Sequence, residues 1–294
     1  MGKDKTALGY IGLGLMGWPM TERLLDAACP VTVWNRSRDK IVPALEKGAK
    51  EGASPAEVAS NSDIVQTCVT DGQAMEEVVF GPGGIAEGAA ADKVLIDYST
   101  IPPDAARDMA ARLKDKTGMR WIDAPVTGGV VGARAGALVI FAGGDEADIE
   151  AVRPSVEHMA RSFTRMGPQG AGLVTKLCNQ TVNACVKVVL SEMLSLARDG
   201  GIDGATLPQV MKGGSADSSQ LQREAPRMVA GDFDNPHGTA YTIHKDLGII
   251  ADFARERGTA MPVTALVSEL YRLHIAKGDG GLDSISIFKL FDRA

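Results

Sequence analysis

Three short stretches of this chain carry residues that could do chemistry. The first is Gly172-Leu173-Val174-Thr175-Lys176-Leu177-Cys178-Asn179-Gln180, where a helix would set two amides about one turn from an amine. Free lysine titrates at about 10.4, too high for a base at neutral pH. Partial burial, a helix N-terminus and a cationic ring nearby would each disfavour the ammonium form. Lys176 could then exchange a proton with an alcohol or carbonyl oxygen. The second stretch, Asp123-Ala124-Pro125-Val126-Thr127-Gly128-Gly129, gathers one hydroxyl and two glycine N–H groups. Such backbone donors suit a carboxylate, although read alone the stretch is equally a plain glycine-rich turn. The third is Gly12-Leu13-Gly14-Leu15-Met16-Gly17, which follows the apolar run Ala7-Leu8-Gly9-Tyr10-Ile11 and precedes a helical pattern over residues 20–28.

A strand, a glycine turn and a helix start in that order make a phosphate cradle. The first glycine allows the tight turn and the second lets a pyrophosphate approach the backbone. The third lets helix and strand pack closely, while the helix N-terminus offers free N–H groups to the anion. The identity of the nucleotide is read further on. NAD sites usually place an acid at the end of the second strand, to hold the ribose hydroxyls. Here Val31-Thr32-Val33-Trp34 runs into Asn35-Arg36-Ser37, with no carboxylate. An arginine fork can pair with a 2′-phosphate, so Arg36 with Asn35 and Ser37, helped by Arg38 and Lys40, points to NADP, with NAD as the alternative. Val69 and Thr70, at the end of the next apolar run, are expected beside the cofactor.

The elements that must position these residues follow from pattern. Apolar β-rich runs occur at residues 31–34, 64–69, 94–98, 120–123 and 138–142, separated by helical or loop segments such as 39–47, 73–79 and 105–113. Continuous apolar strands alternating with helices predict a parallel, doubly wound Rossmann-type sheet, with ligands beyond the carboxyl ends of its strands. After Gly167-Pro168-Gln169-Gly170 the strand signals stop and helical patterns take over at 171–198, 205–212, 239–257 and 262–277. This predicts an α/β domain over 1–168 and an all-helical domain over 169–294, joined by a long helix. Along that helix Lys176, Gln180, Asn183 and Lys187 fall on one face. Lys176, Asn179 and Gln180, in its first turns, are expected to face a ligand, and Lys187 is expected on a solvated part.

Composition narrows the classes. The chain has 294 residues, 45% of them hydrophobic, 34 glycines and a net charge of −6. No run of five or six basic residues marks a nucleic-acid or anionic membrane surface. The longest apolar stretches stop well short of the roughly 18 residues that span a bilayer. Met1-Gly2-Lys3-Asp4-Lys5 lacks the pattern of an export signal, so a cytoplasmic location is expected. Cys29, Cys68, Cys178 and Cys185 form no CxxC pair and are expected to be buried, reduced thiols. His158, His237, His244 and His274 show no metal-ligand spacing, and no metal site is expected.

Together these segments resemble the β-hydroxyacid dehydrogenase family, which includes 3-hydroxyisobutyrate dehydrogenases and tartronate semialdehyde, glyoxylate and succinic semialdehyde reductases. Five segments in order carry the resemblance across nearly the whole chain. The glycine motif with Pro19-Met20 is similar to the family's cofactor motif. Asp97-Tyr98-Ser99-Thr100 is similar to its D-x-S-T, whose threonine lies by the nicotinamide. Asp123 to Gly129 is similar to its substrate-binding D-A-P-V-S-G-G. Gly172 to Gln180 is similar to its catalytic G-x-x-x-K-x-x-N-N, and Lys245-Asp246-Leu247 to its K-D-L, with the lysine near the cofactor.

The resemblance implies hydride transfer between a nicotinamide and a small hydroxy acid or aldehyde acid. It makes Lys176 the general acid and base. Thr127, Gly128 and Gly129 then hold the substrate carboxylate, and Asn179, Gln180 and Asp246 serve the substrate side. Thr100 and Lys245 fix the nicotinamide. A homodimer or homotetramer is implied too. Thr127 replaces the usual serine and Gln180 the usual second asparagine, which bears on substrate identity and leaves the reaction type intact. The competing readings are an imine reductase, which generally lacks the lysine, and a non-catalytic NADP-binding module. Decarboxylating oxidation of a sugar-acid phosphate is a third, opposed by the absence of a basic phosphate cluster.

Overall fold

The computed structural model describes residues 6–291. The opening Met1-Gly2-Lys3-Asp4-Lys5, from which the cytoplasmic expectation was read, lies outside them. The chain divides into two compact units, one up to Lys176 and one from Leu177.

The first unit is a sheet covered on both faces. Its strands are β1 (Leu8–Ile11), β2 (Val31–Trp34), β3 (Lys50–Glu51), β4 (Ile64–Thr67), β5 (Val94–Asp97), β6 (Arg120–Asp123), β7 (Val126–Thr127), β8 (Leu138–Gly143) and β9 (Ala160–Gly167). The helices between them are α1 (Gly17–Asp26), α2 (Val42–Glu46), α3 (Pro55–Ser60), α4 (Gly72–Phe80), α5 (Ile85–Gly88), α6 (Pro103–Thr117), α7 (Gly129–Arg134) and α8 (Glu146–Val156). Strands β3-β2-β1-β4-β5-β6 lie side by side, all parallel, which is the doubly wound Rossmann order. Alternation along each strand feeds two cores. Leu8, Tyr10, Val31, Val33, Ile64, Val94 and Ile96 face one, and Ile11, Val65 and Leu95 face the other. Gly9 stays a glycine because a Cβ there would sit 2.5 Å from Val58 Cγ1.

The far edge departs from the expected parallel run. β8 lies antiparallel to β6 and β7, and β9 pairs parallel to β8. β9 left no signal in the sequence because only Phe163 in Ala160–Gly167 is buried. An edge strand with one wet face carries charges where a central strand carries valines.

The second unit is helical. It takes up α9 (Ala171–Asp199), an unbroken helix that begins in the first unit, and adds α10 (Leu207–Val210), α11 (Ser219–Ala230), α12 (Ala240–Arg257) and α13 (Pro262–His274). One core gathers Ala184 and Val188 of α9, Ile243, Leu247 and Ile250 of α12 and Val267 and Tyr271 of α13. A second gathers Leu190 and Leu194 with Leu221, Ala225 and Met228 of α11. These repeats of three and four residues are single helix stripes. Helix α11 was not anticipated, since a polar stretch with an internal Pro226 hides its narrow apolar stripe. No helix among the described residues is long and apolar enough to cross a membrane. None of the four cysteines is in a disulfide, and they are not buried as expected: Cys178 is exposed and the others are half-buried.

Candidate active site

Register builds the site of the first unit. Ile11 pairs with Trp34 and Thr67, Thr67 with Asp97, and Asp97 with Asp123. Five parallel strands therefore end in one row. The chemistry-bearing residues follow directly after it: Gly12, Asn35, Val69 and Thr70, Thr100, and the loop to Gly129. Residues scattered over more than a hundred positions become neighbours along one sheet edge because their strands stop in step.

The glycine turn is tight in the protein and open outward. Gly12 has φ +96°, and a Cβ on it would lie 2.3 Å from the Cys68 carbonyl oxygen. A Cβ on Gly17 would lie 1.9 Å from the Gly12 carbonyl oxygen. A Cβ on Gly14 would meet nothing within 4 Å. The outer two glycines thus answer to the protein's own packing, and the middle one leaves room for an approaching group. Helix α1 starts with no side-chain cap and no acidic residue in its first turn. These features fit a pyrophosphate, which the backbone at Gly14, Leu15, Met16 and Gly17 would hold, while the Gly12 N–H is bonded to the Trp34 carbonyl and the Leu13 N–H to Asn35, so Gly12 and Leu13 shape the turn instead.

Around the cradle, Asn35 Oδ1 accepts from the Leu13 N–H at 2.9 Å, and its Nδ2 donates to the Ser37 carbonyl at 2.9 Å. Asn35 therefore ties the end of β2 to the glycine turn. Arg36 and Ser37 are exposed, and Arg36 makes no ion pair among the described residues. Arg38, expected to help bind the nucleotide, forms a bidentate pair with Glu51 at 2.8 and 2.9 Å. The Val69 N–H donates to Ser99 Oγ at 2.9 Å, so β5 fixes the turn after β4. Thr70 is exposed and donates to Asp71 at 3.1 Å, and Thr100 is half-buried.

Asp123 closes the row and opens the loop that leads through β7 to α7. It is fully buried, and its carboxylate accepts from the Gly170 N–H at 2.6 Å and the Leu173 N–H at 2.9 Å. Burial pushes its pKa up to about 7, and a nearby Asp97 adds to the rise, while the two backbone donors pull the other way. Three residues on, the Val126 carbonyl accepts from Lys176 Nζ at 2.8 Å. Lys176 is only 7% exposed. Asp123 thus anchors the first turn of α9, and Val126 holds the amine one turn later. Between the loop and α7, Gly128 and Gly129 take φ +123° and +62°, a succession that other residues adopt only with strain. Thr127 is half-buried beside them.

In the second unit, Gln180 Nε2 donates to Asp246 Oδ2 at 2.6 Å, and Asn179 Nδ2 donates to Gln180 Oε1 at 3.0 Å. Lys245 pairs with Asp246 at 3.2 Å. Residues 179, 180, 245 and 246 are therefore bonded together, although a long stretch of sequence separates them. Lys187 corrects an expectation. It is buried rather than solvated, donating to Ser284 Oγ at 2.8 Å. Burial lowers its pKa, opposed by the carboxylates of Glu224 and Asp283. Helical spacing had put it on the right face but could not reveal that residues 224 and 284 fold over it.

His274 touches Ser286 Oγ at 2.6 Å and lies 3.8 Å from Asp279, but His274 and Ser286 have no exposed surface that an acyl substrate could reach. Among the described residues no group of His, Cys, Asp and Glu could hold a metal ion.

A sheet in Rossmann order with an open glycine cradle at its carboxyl edge is the architecture of a dinucleotide-binding protein. Comparison with known proteins agrees. Residues 7–167 match the NAD-binding domain of 6-phosphogluconate dehydrogenase, and residues 170–291 match the domain described as the NAD-binding of NADP-dependent 3-hydroxyisobutyrate dehydrogenase. A 3-hydroxyisobutyrate dehydrogenase of Pseudomonas aeruginosa is 34% identical over 97% of this chain and 98% of its own. A 2-hydroxy-3-oxopropionate reductase of Escherichia coli is 34% identical over 97% of each. The solved structure of a Mycobacterium tuberculosis 3-hydroxyisobutyrate dehydrogenase with L-serine superposes with a TM-score of 0.88 at 27% identity, covering 98% of this chain and all of the other. The chain belongs to the β-hydroxyacid dehydrogenase family of NAD(P)-dependent oxidoreductases.

Proposed function

We propose that the protein moves a hydride reversibly between NADP and a small 3-hydroxy acid or aldehyde acid, with Lys176 as general acid and base. The observation that carries this reading is the sheltered amine on the Val126 carbonyl, inside the loop that runs from Asp123 to Gly129. Bound nicotinamide nucleotide supplies the hydride donor or acceptor. In the oxidative direction Lys176 takes the hydroxyl proton as hydride leaves carbon, and in the reductive direction it returns that proton to the developing alkoxide. Thr127, Gly128 and Gly129 hold the substrate carboxylate through one hydroxyl and two N–H groups. Asn179 and Gln180 orient the reacting oxygen. Thr100 and Lys245 steady the nicotinamide side, with Asp246 holding Lys245 through their ion pair.

Arg36, exposed past a strand end that carries no acid, supports NADP over NAD. Residues 1–168 then form the nucleotide domain and 169–294 the substrate and oligomerisation domain. On α9, Val182, Val189 and Leu196 stay exposed at a spacing of seven, and on α13 Val263, Leu266 and Leu273 stay exposed at spacings of three and seven. These stripes suit a second copy of the chain, as a homodimer or homotetramer working in the cytoplasm. The test is a panel of 3-hydroxyisobutyrate, tartronate semialdehyde, glyoxylate and succinic semialdehyde with both nucleotides. Turnover of at least one with NADP or NADPH is expected, and none with any pairing overturns the reading.

A further inference from the structure

The bonds that join Asn179, Gln180 and Asp246 continue beyond the recognisable motif. Gln180 Oε1 accepts from Asn183 Nδ2 at 3.3 Å as well as from Asn179 Nδ2. Asn183 Oδ1 accepts in turn from Gln220 Nε2 at 2.7 Å, and the same nitrogen reaches the Asn183 carbonyl at 3.3 Å. Gln220 sits in the first turn of α11, whose start is fixed by Ser218 Oγ accepting from the Leu221 N–H at 3.0 Å. A polar chain thus runs from α12 across α9 to α11 within the second unit.

One charge sets the sense of this chain. An ionised carboxylate only accepts hydrogen bonds, whereas an amide can face either way. Asp246 is 2% exposed and paired with Lys245, so it demands the NH₂ end of Gln180. Gln180 then turns only its oxygen to Asn179 and Asn183, and both must donate. Asn183, having donated, shows its own oxygen to Gln220, which must donate too. Turning any one of these amides end for end would set two oxygens or two NH₂ groups against each other. The extra methylene of Gln180 matters here, because the same side chain must reach Asp246 and still receive both asparagines.

We propose that Gln220, by donating to Asn183, is a positioning residue that locks the sense set by Asp246 and so steadies which ends of the Asn179 and Gln180 amides meet a hydroxy-acid substrate. This role rests on the assignment of Asn179 and Gln180 to substrate handling. It also separates donor capacity from bulk. Gln220→Glu keeps the shape and replaces the donor with an acceptor, so it works against the sense set by Asp246. Gln220→Leu only deletes the bond. Gln220→Lys restores a donor.

The test measures KM, kcat, nucleotide affinity and melting temperature for the three variants, together with the side-chain amide NMR signals of Gln180 and Asn183 in the intact enzyme. The expected result is a KM for the hydroxy acid raised about tenfold in Gln220→Glu, less in Gln220→Leu, and returned towards wild type in Gln220→Lys. The Gln180 amide signals should shift in the same order, with kcat and nucleotide affinity within about twofold. Equal effects of all three variants on KM and melting temperature would reveal mere packing and overturn the proposal. So would Gln180 signals that ignore Gln220 in an enzyme that oxidises hydroxy acids. If the wild type oxidises no hydroxy acid, the parent reading fails and this role falls with it, even where the amide signals move.

Discussion

The two units arrange their candidate residues with different materials. The first relies on backbone: a glycine turn, a row of strand ends, a carbonyl that holds an amine and two left-handed glycines. The second relies on side chains, with Lys245, Asp246, Gln180, Asn183 and Gln220 bonded in sequence. A backbone site is specified by what is left out, so the residues that matter are those whose Cβ would collide. A side-chain site is specified by polarity, so the residues that matter are those whose exchange reverses a donor and an acceptor. Substitutions should therefore fail by overlap in one unit and by sense in the other.

The largest effect is expected from Gly17→Ala. Its Cβ would overlap the Gly12 carbonyl, 1.9 Å away, and should cost about 3 kcal/mol or more and abolish nucleotide binding. Denaturant unfolding and nucleotide titration check both, and an unchanged variant would break the steric account. Next comes Asp123→Ala, which leaves the buried Gly170 and Leu173 N–H groups without their acceptor. It should lose about 2–5 kcal/mol of unfolding free energy.

Gly14→Ala sharpens the comparison from the other side. Its Cβ meets open space, so the melting temperature should hold while nucleotide affinity falls about tenfold. A parallel loss of both would show that Gly14 is structural.

Asp123 also predicts a dependence on pH. Its folded pKa is raised from 3.8 to about 7, so the folded state binds this proton more tightly than the unfolded chain does. The contribution is fully present below the unfolded value and is lost as pH rises through about 7, at up to about 1.4 kcal/mol per pH unit. Unfolding wild type and Asp123→Asn from pH 4 to pH 8 should show the wild type losing ground, and a constant difference would contradict it. The smallest effect belongs to Arg38→Ala. Its pair with Glu51 is exposed, so the melting temperature should not change measurably.

The same contrast explains what could be read before the fold was known. Glycine spacing records a backbone site directly, so residues 12–17 and 123–129 announced themselves. Apolar runs gave the central strands for the same reason, since burial on both faces leaves no room for polar residues. Strand β9 stayed hidden because it buries a single residue, and helix α11 because its narrow stripe runs through a polar stretch with an internal Pro226. Gln220 was invisible because its partner Asn183 lies 37 residues away and only the packing of two helices brings them together. Lys187 shows the limit of helical spacing, which ranks faces but cannot say which one another segment will cover.

The central claim is that the Lys176 amine carries the proton. Stopped-flow turnover of Lys176→Ala with the preferred hydroxy acid, beside a direct titration of NADPH, tests it most directly. Turnover should fall by about 10²–10⁴-fold with nucleotide affinity unchanged. Turnover near the wild-type rate, with NADPH bound normally, would contradict the account.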